Sequence, residues 1–190
     1  MTPPAKALVR ALTLAAALFA LGAGQAVAAS PTGEAAAAAL PASVTAGPKG
    51  KGSEETLHNT GYDTVGEGVL AMGRAHATYT IVNTLEDVPG AVTSVTIDVS
   101  LISGEMAQMT ALPPGVVPDS ATDDANGCHD RNKQVGSGMV LERWCDREQP
   151  YAEYTIRVGT AYVVVTVSNG TLDDARRIAE SVHAAATGQG

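Results

Sequence analysis

The stretch YAEYTIRVGTAYVVVTVSNGTLDDARRIAESVHAA, residues 151–185, decides the fold. From Tyr151 to Val158 the side chains alternate, with Tyr154, Ile156 and Val158 opposite Glu153, Thr155 and Arg157. A period of two with β-branched content predicts a strand. Gly159-Thr160 reads as a short hairpin turn, and Ala161 to Val167 is apolar on both faces, which predicts a central strand covered on both sides. Thr171 then offers an N-cap, followed by the acidic first turn Asp173-Asp174. Leu172, Ala175, Ile178, Ala179, Val182 and Ala186 recur on one helical face, and Gly188 is placed to stop the helix. Asn169-Gly170-Thr171 fits a glycosylation sequon, but the same residues explain the strand-to-helix turn.

Upstream the pattern extends. Ala75, Ala77, Tyr79 and Ile81 alternate with His76, Thr78, Thr80 and Val82 in a strand over 75–82. After turn chemistry at Glu86–Gly90, a strand over 92–101 places Val95, Ile97, Val99 and Leu101 inward and Ser94, Thr96, Asp98 and Ser100 outward. Met139 to Cys145 supplies another strand and holds the lone Trp144. Between them, Gly104 to Asn126 contains Pro113-Pro114-Gly115 and Pro118 and reads as a long irregular connection, the usual place for a binding loop or lid. The expectation is an α+β domain: an antiparallel sheet of about five strands with the C-terminal helix packed on one face.

The N-terminal end reads as an address. Lys6 and Arg10 precede the apolar run Ala11–Leu21, and Ala26-Val27-Ala28 fits a cleavage site before Ala29 or Ser30. Residues 1–29 are therefore expected to be a signal peptide; the run is too short to span about 30 Å of hydrocarbon. No Cys follows it for lipid attachment. Residues 30–60, rich in Ala, Pro and Gly, read as a flexible linker, and 61–190 as a single secreted domain.

The 190 residues carry a net charge of −8, and removing two basic residues with the leader makes it −10. That balance disfavours nucleic acid, which needs a basic patch, and anionic lipid. After signal cleavage no integral membrane span is expected. Cys128 and Cys145 are the only cysteines; in an exported chain an even pair is most simply one disulfide. No CxxC spacing points to redox or metal chemistry.

Candidate chemistry is sparse. Gly66-Glu67-Gly68-Val69-Leu70-Ala71 matches GxGxxA, but no buried strand precedes it and no βαβ alternation follows, so a Gly-rich turn is expected and no cofactor. Asp119, Asp123, Asp124, His129 and Asp130 gather around Cys128 and are the candidate binding residues. Their spacing does not match a calcium loop, so a solvated acidic loop is expected, with no metal assigned. His129 beside Asp130, with Ser137 nearby, is the nearest approach to a hydrolytic set, yet strand neighbours point apart and Gly136-Ser137-Gly138 lacks the elbow context. His58, His76 and His183 form no paired motif.

The segment RVGTAYVVVTVSNGTLDDARRIAESVHAA, with the export signal and tether, resembles small extracytoplasmic domains of high-GC Gram-positive bacteria, among them lipoproteins and the sensor domains of receptor-type kinases. The resemblance covers about residues 75–187 and implies an antiparallel sheet with a helix after the last strand, and recognition rather than catalysis. The chain departs from it in lacking a lipid-attachment Cys and in carrying one possible disulfide where the sensor domains tend to have two. The functional expectation is a secreted, non-catalytic binding or interaction module for a protein or envelope ligand. The alternatives are a small secreted hydrolase using the His129/Asp130 region with 104–126 as a lid, and a protease-inhibitor-like protein presenting Met109–Pro114.

Overall fold

The computed structural model describes residues 31–47, 54–82, 91–146 and 149–188. The expected leader and the expected turn at Glu86–Gly90 lie outside the described residues. In chain order the elements are α1 (Gly33–Ala38), β1 (Glu54–Val65), β2 (Met72–Val82), β3 (Val92–Ile102), α2 (Gly104–Met109), β4 (Ser120–Asp123), β5 (Cys128–Val135), β6 (Gly138–Cys145), β7 (Tyr151–Val158), β8 (Ala161–Ser168) and α3 (Leu172–Thr187).

The strands form one antiparallel sheet in the order β1-β2-β3-β8-β7-β6-β5-β4. It is an open sheet of eight strands, where the sequence predicts about five. The three unforeseen strands, β1, β4 and β5, are EETLHNTGYDTV, SATD and CHDRNKQV. They lie toward the two edges and carry polar side chains on both faces, so the hydrophobic period that reveals a strand is missing. Residues 103–119 run along the end of the sheet from β3 to β4. Leu112 donates its N–H to the Ser137 carbonyl, 2.8 Å away, in the β5–β6 turn. The expected irregular stretch is thus partly regular, with α2 at its start and β4 near its end. The chain then winds back strand by strand until β8 pairs with β3.

The core lies on one face. Tyr79, Val95, Ile97, Val99, Val163, Val165, Val167, Ala175, Ala179 and Val182 are buried there, each large aliphatic contributing roughly 1.5–3 kcal/mol. α3 covers β8 and β7 and touches β6. A capping box at Thr171 and Asp174 opens it and left-handed Gly188 closes it, the residue types for those two ends. The turn into α3 puts Asn169 at φ 58°, with its side-chain amide donating to the Val92 carbonyl at 2.8 Å.

Residues 31–47 and 54–60, the described part of the expected linker, are packed and paired rather than free. α1 and the segment after it pack over β1–β3, with Ala36, Ala39, Val44 and Ala46 in the core. A Cβ placed on Gly73 would meet the Thr32 carbonyl oxygen at 2.0 Å, and one on Gly33 would meet the Asp63 carbonyl at 2.4 Å. The small residues that resemble a linker are what let backbone rest on backbone. Gly33 donates to Thr64 Oγ1 at 2.9 Å, Val44 to Glu55 Oε2 at 2.8 Å, and the Tyr79 hydroxyl to the Pro41 carbonyl. Asp174 and Arg177 of α3 hold Gly47 and Thr45 at the far end. Residues 31–47 form a strap that joins the two sides of the helical layer.

β8 is central, as its sequence predicts, but it is covered once. Val163, Val165 and Val167 are buried beneath α3, while Tyr162 is 39% exposed on the opposite face. Among the described residues no helix packs over that face. Val164 there is shielded sideways by its cross-strand neighbours Asp98 and Thr155. The GxGxxA stretch is the β1–β2 turn, with Gly66 and Gly68 at φ 78° and 58°. A strand does precede it, but an exposed one, and a single 3-10 turn, Gly68–Leu70, then an antiparallel strand follow in place of an α-helix.

Candidate ligand groove

The core side of the sheet extends beyond α3. Strand register places His129, Arg131, Lys133 and Val135 of β5 on this side, opposite Trp144, Glu142, Val140 and Gly138 of β6. Ala152, Tyr154 and Ile156 of β7 follow in the same rows. Where α3 stops covering the sheet, its flank and the overhanging β4–β6 strands enclose a groove of about 520 Å³. Val140, Val135 and Tyr154 make its apolar floor, Arg176 and Glu180 its helical wall, and Arg131, Lys133 and Asp119 its far rim.

Two cation–ring arrangements organise this surface. Arg176 of α3 donates to Glu142 Oε1 at 2.8 Å and lies over the Tyr154 ring at 5.6 Å. Its pKa is raised, chiefly by the hydrogen bond to Glu142. Burial, with nearby Glu180 and Glu142, raises the Tyr154 phenol, so its hydroxyl stays protonated. On the rim, the His129 ring stacks on Trp144 at 4.7 Å and 22°, and the Arg131 guanidinium sits over the same indole at 4.8 Å. Cations over indole faces are held by the ring quadrupole. The hairpin that carries these groups is cross-linked by Cys128–Cys145, directly opposite each other on β5 and β6.

The five acidic-loop candidates do not form one site. Asp123 binds His129 Nδ1 at 2.6 Å, on the groove side, with Asp146 3.7 Å from Nε2. Asp130, the next residue along β5, faces the other side and binds Arg143 Nε at 2.6 Å. Asp124 shapes the β4–β5 turn by accepting the Asn126 and Cys128 N–H groups, each at 2.8 Å. Asp119 stands at the groove rim. Among the described residues no group of three or more His, Cys, Asp or Glu could hold a metal ion.

His129 and Asp130 therefore share no substrate space, and Ser137 lies in the turn at the other end of β5 from His129. Met106 and Thr110 belong to a helical turn, so Met109–Pro114 begins as helix and not as an extended loop. Arg131, Lys133, Val140, Tyr154, Arg176 and Glu180 are not among the site residues expected from the sequence. The signal available was the alternation His129, Arg131, Lys133, Val135, a period of two written in polar residues. No helix among the described residues is long and apolar enough to cross a membrane. No protein-family model matches the chain, and no curated protein or solved structure matches it either.

Proposed function

We propose that the chain is a secreted, non-catalytic binding module whose contact surface is the groove between α3 and the β4–β6 overhang. One observation carries the reading: an apolar floor of Val135, Val140 and Tyr154 is ringed by charged side chains at the boundary of the helical layer. A concave apolar site with a few convergent polar groups is the usual form of a ligand site. The rigid framing supports recognition as well, since the disulfide and the Arg176–Glu142 pair hold the two walls. The cystine suits an oxidising compartment, and cleavage before Ala29 or Ser30 would leave only one or two residues ahead of buried Pro31.

The test is a thermal-shift screen of the mature chain against cell-wall fragments, lipids, peptides and secreted proteases. At least one class raises Tm for the natural chain and fails to do so for the double variant Arg131→Glu, Lys133→Glu. A shift that survives the double variant removes the groove from the account. No shift with any class removes the binding reading.

A further inference from the structure

Resting on the groove as the contact surface, we infer that its ligand is a peptide segment carrying charges of both signs. Its acidic group is seated toward β5 and its basic group toward α3. The argument is one of unpaired charge. Among the described Lys and Arg residues, Arg74, Arg143, Arg176 and Arg177 each have a carboxylate within 4.0 Å. Arg131, Lys133 and Arg157 do not, and two of these three line the groove. Arg131 rests only on the Trp144 ring. Glu142, the residue opposite Arg131 in the ladder, is turned instead to Arg176. Asp119 and Glu180, also lining the groove, have no cation within ion-pair distance among the described residues. Four ionised groups, two of each sign, thus border one apolar floor without neutralising each other.

Three ligand chemistries answer this differently. An anionic amphiphile would satisfy Arg131 and Lys133 but lay its hydrocarbon against Glu180 and Asp119, and desolvating an unpaired carboxylate is costly. A neutral glycan would leave all four charges without a counter-charge. A peptide with an acidic and a basic side chain pairs Arg131 or Lys133 on the far rim and Glu180 on the helical wall, and sets its apolar residues on Val140 and Tyr154, the complementarity that gives interfaces their specificity.

The experiment is selection from a positional library of terminally blocked tetrapeptides by the mature chain, followed by calorimetry and Trp144 fluorescence, with laurate and chitotetraose as rival probes. Enrichment of sequences holding both a carboxylate and a cation is expected. Their binding should shift Trp144 emission, weaken as salt rises, and fall about tenfold in each of Arg131→Gln and Glu180→Gln, about 1.4 kcal/mol apiece. Both positions are exposed at the rim, so unchanged circular dichroism and Tm certify the fold of each variant. Enrichment of uncharged or single-sign peptides overturns the inference. Laurate or chitotetraose saturating the chain in an Arg131-dependent way, with no peptide enriched, also overturns it and leaves the groove standing. If neither library nor rival probes bind, the inference and the groove fall together.

Discussion

Arg176 Nη2 lies 2.8 Å from Glu142 Oε1, joining the second turn of α3 to the middle of β6. Glu142 is mostly enclosed, with 17% of its side chain exposed, and Arg176 is covered on one face by Tyr154. The contact sets where the helix ends its cover of the sheet, and so sets the inner corner of the groove. A double-mutant cycle with Arg176→Met and Glu142→Gln, read by urea unfolding, should give a coupling of about 1 kcal/mol. A coupling near zero would mean that the pair is incidental to the wall.

The cystine staples the other wall. It closes a sequence separation of 17 residues, and chain entropy makes such a link worth roughly 3 kcal/mol. Replacing Cys128 and Cys145 together by Ser should lower stability by about that amount. Because the same hairpin carries Arg131 and Lys133, ligand affinity should fall with it. Free thiols titrated in the chain purified without reductant would contradict the link.

The strap gives a sharper stability test. Gly73→Ala inserts a methyl where the Thr32 carbonyl lies 2.0 Å from the position of that carbon. Backbone must move, at about 1–3 kcal/mol. A flexible linker over 30–60 would make the same substitution nearly silent and would be cut readily by proteases. The strap predicts that the bonded amides of Ala36, Ala39, Leu40 and Val44 resist hydrogen exchange until the sheet opens.

Asp174 should make the strap sensitive to acid. Burial alone would raise its carboxyl pKa, but hydrogen bonds from the Thr171 hydroxyl, the Gly47 N–H and Arg177 together hold it below the ordinary value. A depressed folded-state pKa adds stability that is present above the unfolded value, about 4, and is lost as pH falls through the folded one. Asp174→Asn should therefore cost about 1–2 kcal/mol at neutral pH. The gap between variant and natural chain should close below about pH 4; a gap independent of pH would exclude the carboxylate as its source.

How much of this was legible follows from where the apolar residues lie. Val95–Leu101, Ala161–Val167 and the stripe Ala175–Val182 announce themselves, because each strand or helix buries a repeating face. β1 and β5 do not. Their own residues Thr60, Tyr62, Arg131 and Lys133 sit on the core side of the sheet, yet α1 and α3 leave them largely in solvent, so no apolar period is needed there. The strap misleads for the opposite reason. Gly33 and Gly73 are small because two backbones touch there, and Ala36 because it is wholly buried; composition alone cannot separate that from a spacer. The groove was hidden because it is built across four segments, 119–121, β5, β6–β7 and α3, and its polar members have no local motif. Of the acidic-loop candidates, Asp119 lines it.

The most direct test is residue-resolved. ¹⁵N-labelled chain is titrated with the ligand selected above, and amide and side-chain shifts are mapped. The account predicts that the largest changes fall on Arg131, Lys133, Val140, Tyr154, Arg176, Glu180 and the Trp144 indole N–H, with β2 and β3 unmoved. Changes centred on the opposite face, at His76, Asp98 and Tyr162, would contradict it.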